Sequence, residues 1–164
     1  MRQGTKPSIA SPDTQRERVD RHGLEHPAAT VSIDALTSRR VRTAFLGTSE
    51  FAAAVLRHLA DSRHRPLLVV TPPDRPRGRG RRTEPPPAAR TASELGISLE
   101  QAESVNDPSV LERIREVRPE AVVVCAFGQL IREPLLSELV LLNLHPSLLP
   151  RWRGAAPIER AIMA

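Results

Sequence analysis

Apolar residues show no sustained period over the first 40 positions and then fall into short, regular runs. Residues 1–40 mix Ser, Thr, Pro, Asp, Arg and His, which predicts either a disordered extension or a misassigned start, with Val31 or Val41 as a later one. At Val41 the texture changes. Val41–Leu46 is a short apolar run that reads as a strand, and Gly47-Thr48-Ser49 reads as a tight turn. Phe51, Val55, Leu56 and Leu59 then recur at helical spacing, with Ser49 as N-cap and Glu50 at the positive end of the helix. Leu67–Val70 is a second buried-type strand. Thr71–Pro87 holds six prolines and two glycines and reads as an extended loop. A helix is predicted from Ala88 to Leu95, stopping at Gly96, and another from Asp107 to Val117, ended by Pro119. Ala121–Ala126 and Val140–Leu144 complete the set as strongly apolar strands.

Nearly all-apolar strands alternating with helices predict an α/β domain whose mostly parallel sheet is covered on both faces. Such sheets bind ligands beyond the carboxyl ends of their strands. Three segments lie there: Gly47-Thr48-Ser49, Phe127-Gly128-Gln129, and Asn143-Leu144-His145-Pro146-Ser147.

Length and composition narrow the picture. With 164 residues the chain is one ordinary domain, or one domain plus a tail. Aromatic residues make up 2%, which argues against a binding face of stacked rings. The single cysteine, Cys125, sits inside an apolar strand and reads as core. It excludes a cysteine-rich zinc site and points to a reducing compartment. No apolar run approaches the length of a membrane span, and the N-terminus has no apolar signal core, so a cytoplasmic protein away from membranes is expected. The net charge is +5, and residues 71–82 alone carry +4 of it through Arg75, Arg77, Arg79, Arg81 and Arg82 against Asp74. On charge alone, a phosphate-rich partner and a merely solvated loop both stay open.

Asn143 and His145 stand two residues apart at the end of a strand read as buried, where alternation directs them to one side. An amide donor beside an imidazole can bind an oxyanion and move a proton, the minimum for acyl transfer between amines. Spacing by itself favours the plainer reading, two polar side chains satisfied by nearby backbone. Gly47 is not followed by the glycines of a dinucleotide fingerprint, and Gly78-Arg79-Gly80 does not follow a strand as a phosphate cradle would. His22, His26, His58 and His64 lack ligand spacing, so no metal is expected.

The run from Leu142 to Ile158, LNLHPSLLPRWRGAAPI, resembles the signature of folate-dependent formyltransferases. FLGTSEFAAAVL from Phe45, TPPDRPRGRG from Thr71 and VVVCAFGQLI from Val122 agree with it in order, so the resemblance covers about residues 41–164. It implies a Rossmann-like formyltransferase domain with 10-formyltetrahydrofolate as donor. SLLPRWRGAAPI and the arginine-rich loop are most similar to members whose acceptor is the α-amine of initiator methionyl-tRNA. Glycinamide ribonucleotide, a nucleotide amino sugar, or water in a formyl-folate hydrolase are the alternative acceptors. A non-catalytic RNA-binding module is the reading from another class. The resemblance implies Asn143 as oxyanion donor and His145 as its partner in proton transfer. It implies that Phe127, Gly128, Gln129, Leu130 and Ile131 line the folate pocket, mainly through backbone. Ser147, Leu148, Leu149 and Pro150 would shape the adjoining loop. Arg75, Arg77, Arg79, Arg81 and Arg82 would meet the tRNA, Arg79 foremost. It further implies that a third catalytic residue, an Asp, as well as more strands and a C-terminal tRNA-binding barrel, lie beyond Ala164, and that the enzyme is a monomer. Family members commonly carry Tyr at the position of Phe127 and Lys at that of Ala89.

Overall fold

A computed structural model describes residues 39–77, 82–152 and 157–163. Strand β1 (Thr43–Gly47) leads through helix α1 (Glu50–Ala60) to β2 (Pro66–Thr71). A short ribbon, β3 (Arg75–Arg77) with β4 (Arg82–Glu84), precedes α2 (Pro87–Glu94) and β5 (Ser98–Gln101). The chain continues through α3 (Pro108–Glu116), β6 (Ala121–Cys125), the single turn α4 (Leu135–Glu138) and β7 (Val140–Leu144) to α5 (Pro157–Ile162). Five strands form one parallel sheet in the order β5-β2-β1-β6-β7.

The pleat sorts the strand residues into two cores. Ala44, Leu46, Leu68, Val70 and Val122 face α3 and α4, where Val110, Leu111, Ile114 and Leu135 cover them. Phe45, Val69, Val123 and Cys125 face the other way, onto Ala52, Leu56 and Ala60 of α1 and Ala88 and Ala92 of α2. Each fully buried Phe, Leu or Val contributes about 1.5–3 kcal/mol. The predicted three-layer α/β architecture is therefore what forms, with helices on both faces of a parallel sheet.

Local chemistry explains the helix ends. The Ser49 hydroxyl accepts the Ala52 amide at 3.3 Å, and Glu50 occupies the first turn of α1. Proline opens both α2 and α3, where a missing N–H costs nothing. Gly96, with φ of 62°, turns the chain out of α2 toward β5.

Four features depart from the expectation. Val41 lies ahead of β1 rather than in it; it is buried, and its amide donates to His64 Nδ1 at 3.1 Å. The proline-rich loop contains an antiparallel ribbon that pairs Arg75 with Glu84 and Arg77 with Arg82. This ribbon is separate from the main sheet, where proline is tolerated. Strand β5 is unmarked in the sequence, because Ser-Leu-Glu-Gln lacks an apolar run; among the described residues it pairs only with β2, at the sheet's edge. Finally, β7 is not a buried strand. Among the described residues nothing pairs with its outer edge, and Leu142 and Leu144 remain 43% and 40% exposed. The extension expected over residues 1–40 lies outside the described residues except for its last two.

Candidate active site

The strand order reverses between β1 and β6: the chain steps from β1 outward to β2 and β5, then returns to lay β6 and β7 on the other side. That switch point opens a crevice at the carboxyl ends of β1 and β6. Gly47 ends β1 there. A Cβ on it would meet Phe45 Cε1 at 2.5 Å and Ala52 Cβ at 2.9 Å, so only glycine lets α1 start this close to the sheet. Thr48 follows, and its Oγ1 donates to the Phe127 carbonyl at 2.7 Å across the mouth of the crevice.

Beyond β6 the backbone turns sharply. Ala126 has φ of 43° and Gly128 of 78°. A left-handed alanine costs on the order of 1 kcal/mol, and such strain is characteristic of sites where backbone must be presented. The Phe127 ring turns into the core. It is 3% exposed and belongs to the core with Leu46 and Leu135. The Gln129 amide points inward as well: Oε1 accepts the Val105 amide at 2.6 Å, and Nε2 donates to the Ala102 carbonyl at 3.0 Å. Asn106 grips the loop from the opposite side. Its Nδ2 donates to the Leu130 carbonyl at 2.8 Å, and its Oδ1 accepts the Arg132 amide at 2.9 Å. From sequence, Thr48 stands out only as part of the Gly47-Thr48-Ser49 turn and Asn106 not at all; their partners lie 79 and 24–26 residues away, beyond any local pattern. The braced loop borders a cleft of about 310 Å³ lined by Glu103, Ser104, Asn106, Gln129, Leu130 and Arg132. Leu130 itself is 68% exposed, and Ile131 packs partly against the core.

Asn143 lies in β7 in register with Val124. The pleat places it on the face that carries Leu141, opposite Leu142 and Leu144, and it is exposed. His145 is the first residue past the strand; two residues of extended chain span about 6.6 Å. Its Nδ1 lies 2.8 Å from Ser147 Oγ, and that hydroxyl also contacts the Trp152 carbonyl at 3.1 Å. Trp152 adopts φ of 59° and carries the Arg151 guanidinium 5.2 Å from its ring centroid. Leu148, Leu149 and Pro150, in the turn between, are exposed.

A larger cleft, about 420 Å³, lies on the other flank of Thr48. Ser49, Arg75, Glu84 and five prolines, from Pro72 to Pro87, complete its lining. Neither cleft includes Asn143 or His145 in its wall. Arg75 is exposed and pairs with Glu103 at 2.8 Å, and Arg82 is exposed on β4. Arg77 belongs to β3, whereas Arg79 and Arg81 lie outside the described residues, as do Gly78 and Gly80.

Cys125 is buried in β6, and burial pushes its thiol up to about 11, so it is a core group rather than a nucleophile. Among the described residues, no three His, Cys, Asp or Glu side chains are grouped to hold a metal ion. No described helix is long and apolar enough to cross a membrane.

Residues 41–164 match the family model described as formyl transferase. The chain belongs to the formyl transferase family. Its relatives include the methionyl-tRNA formyltransferase of Geotalea daltonii, 46% identical over 125 residues, and that of Thermotoga maritima, 44% identical over 124. These alignments cover 75% and 74% of this chain but 40% of each relative, so the chain spans about two-fifths of their length. Among solved structures, glycinamide ribonucleotide transformylase 1 from Geobacillus kaustophilus superposes with a TM-score of 0.56 at 18% identity, covering 76% of this chain and 68% of that one. Phosphoribosylglycinamide formyltransferase from Anaplasma phagocytophilum gives 0.55 at 18%, over 76% and 59%. At that identity the likeness shows a shared fold: the formyltransferase form of the Rossmann-like sheet.

Proposed function

We propose that residues 41–164 form the N-terminal catalytic portion of a methionyl-tRNA formyltransferase. It would move a formyl group from 10-formyltetrahydrofolate to the α-amine of initiator methionyl-tRNA, as a cytoplasmic monomer. The observation that carries this reading is Asn143 and His145 at the carboxyl end of β7, beside the braced loop after β6. The family match over residues 41–164, which include both side chains, and the names of the relatives support it.

The residues present fit a folate donor. Backbone polar groups of Gly128 and Ile131 lie in a loop that Asn106 and Gln129 hold rigid, and the 310 Å³ cleft beside Leu130 gives a flat ring system somewhere to enter. The donor, when bound, supplies an activated formyl group. Asn143 donates its amide N–H to the formyl oxygen as that oxygen gains charge, which is worth about 10²- to 10³-fold in rate. His145 takes a proton from the attacking amine and returns it to the departing nitrogen. Arg75 and Arg82 on the ribbon, with Arg77, Arg79 and Arg81, supply the positive charge that holds the tRNA phosphates. The acidic residue expected to complete the catalytic set, and the barrel expected to hold the rest of the tRNA, would belong to the part of such an enzyme beyond the two-fifths that this chain spans.

The test grafts residues 41–164 into the Geotalea daltonii relative in place of its matching segment and measures formyl transfer. Transfer to methionyl-tRNA, lost about 10²-fold or more in Asn143→Ala, bears the proposal out. A folded chimera that formylates only glycinamide ribonucleotide, or one indifferent to Asn143→Ala, overturns it.

A further inference from the structure

We propose that Ser147 is a positioning residue that fixes the tautomer of His145, holding the proton on Nδ1 and leaving Nε2 open as the base. The inference rests on the formyl-transfer reading for its use, and on the contacts of a single hydroxyl for its geometry. Ser147 Oγ lies 2.8 Å from His145 Nδ1 and 3.1 Å from the Trp152 carbonyl oxygen. A carbonyl only accepts, and a serine hydroxyl has one proton to give. Both contacts are hydrogen bonds only when the Ser147 proton goes to Trp152 and the His145 ring donates Nδ1–H to Ser147. In the other tautomer, Nδ1 and the carbonyl would compete for that one proton. The half-buried site would then leave an acceptor unpaired, which disfavours that arrangement.

The turn is shaped to make this contact. Trp152, five residues after Ser147, takes a left-handed φ of 59°, and its carbonyl meets Ser147 Oγ. The chemical consequence concerns proton uptake. When the acceptor amine attacks, its N–H bond breaks and the proton joins the Nε2 lone pair. The imidazolium so formed keeps the same Nδ1–H bond to Ser147, because a hydroxyl that accepts from the neutral ring also accepts from the charged one. No partner has to turn over while the proton moves, and the proton then passes from Nε2 to the departing nitrogen. A ring held with Nδ1 as acceptor would have to break its bond to Ser147 as it charged. Preorganisation of this kind is what a catalytic site gains from a third, orienting group.

The experiment is a long-range proton–nitrogen correlation spectrum of the ¹⁵N-labelled 164-residue chain at a pH where the His145 ring is neutral, with its signals assigned by their loss in His145→Gln. The expected spectrum shows a protonated Nδ1 and an unprotonated Nε2. Ser147→Ala moves the ring toward the Nε2–H form, and Ser147→Thr, which keeps the hydroxyl, restores the original pattern. A wild-type ring protonated on Nε2, or a tautomer unchanged in a folded Ser147→Ala chain, overturns the proposal. In the chimera described above, Ser147→Ala should lower kcat about tenfold or more with KM little changed, a part of the 10²- to 10⁴-fold a positioned base supplies, and Ser147→Thr should recover it. The ring spectrum judges the tautomer alone, while failure of the formyl-transfer reading shows in the Asn143→Ala comparison and leaves the spectrum as expected.

Discussion

Thr48 Oγ1 donates to the Phe127 carbonyl at 2.7 Å, and this one bond joins the ends of β1 and β6 where the strand order reverses. The carbonyl it satisfies sits between two left-handed residues, Ala126 and Gly128, so the bond also holds a backbone path that would otherwise relax. Thr48→Val keeps the shape and deletes the donor. It should cost about 1 kcal/mol, which for a domain of this size lowers Tm by about 2–4 °C. Thr48→Ser should retain most of the bond. Equal melting of the Val and Ser variants would show that the contact carries no energy.

Two glycines separate steric from conformational need. At Gly47 a methyl group would collide with Phe45, Ala52 and the Cys125 carbonyl, whereas at Gly96 nothing lies within 4 Å and only the φ of 62° is at odds with a side chain. Gly96→Ala should lose about 1 kcal/mol from the left-handed conformation alone. Gly47→Ala should lose more, about 1–3 kcal/mol from overpacking, and should displace Thr48 along with the start of α1. Denaturant unfolding of both variants measures the difference; a Gly96 variant less stable than the Gly47 variant would contradict the packing argument.

How much of this was legible in the sequence depended on whether a feature is local and apolar. Val140–Leu144 reads as a strand at its observed bounds, and Ser49 reads as the cap of α1, because both signals lie within a few neighbouring residues. Ser98–Gln101 pairs at an edge and buries little, so nothing in its composition marks it. The ribbon at Arg75–Glu84 was hidden under proline density, and α4 is a single turn, too short for a period. The exposure of β7 was illegible for another reason: an apolar strand announces that it wants cover, not whether an element covers it. At the site, the Asn143–His145 spacing and the chemistry it allows were visible, yet spacing alone favoured two satisfied side chains, and the family resemblance reversed that balance. The bonds that shape the site, Thr48 to Phe127 and Asn106 to Leu130, bridge segments far apart in sequence and appear only once the sheet is assembled.

Stability should fall at both ends of the pH range, for opposite reasons. The Cys125 thiol is raised by burial from its ordinary 9.0 to about 11. The folded state therefore keeps a proton that the unfolded chain releases, and stability present below pH 9 is lost as pH rises toward 11. At the acid end, the Arg42 amide and the Arg39 guanidinium hold the Glu120 carboxyl below its ordinary 4.5, and the Arg115 guanidinium does the same for Glu138. Their contribution is present above that value and fades as pH drops through the lowered ones. Cys125→Ala should flatten the alkaline limb, and Glu120→Gln should flatten part of the acid limb, in melts taken from pH 3 to 11. The buried thiol should also resist alkylation at pH 8 until the chain is unfolded.

Asn106 offers the most direct way to test whether the loop after β6 is held from outside. Its amide donates to Leu130 and accepts from Arg132, so the two bonds can be separated chemically. Asn106→Asp keeps the acceptor for the Arg132 amide but removes the donor to Leu130 and sets a carboxylate against that carbonyl. Asn106→Ala removes both bonds while leaving the Gln129 contacts to Ala102 and Val105 in place. If each bond is worth about 1 kcal/mol, hydrogen exchange at the Arg132 amide should quicken about fivefold or more in the Ala variant. The Asp variant should keep that amide protected while losing affinity for a folate donor analogue, because the loop's position, not its presence, is what changes. Exchange at Arg132 that is equally fast in wild type and Asn106→Ala would mean that Gln129 and the turn at Gly128 hold the loop unaided.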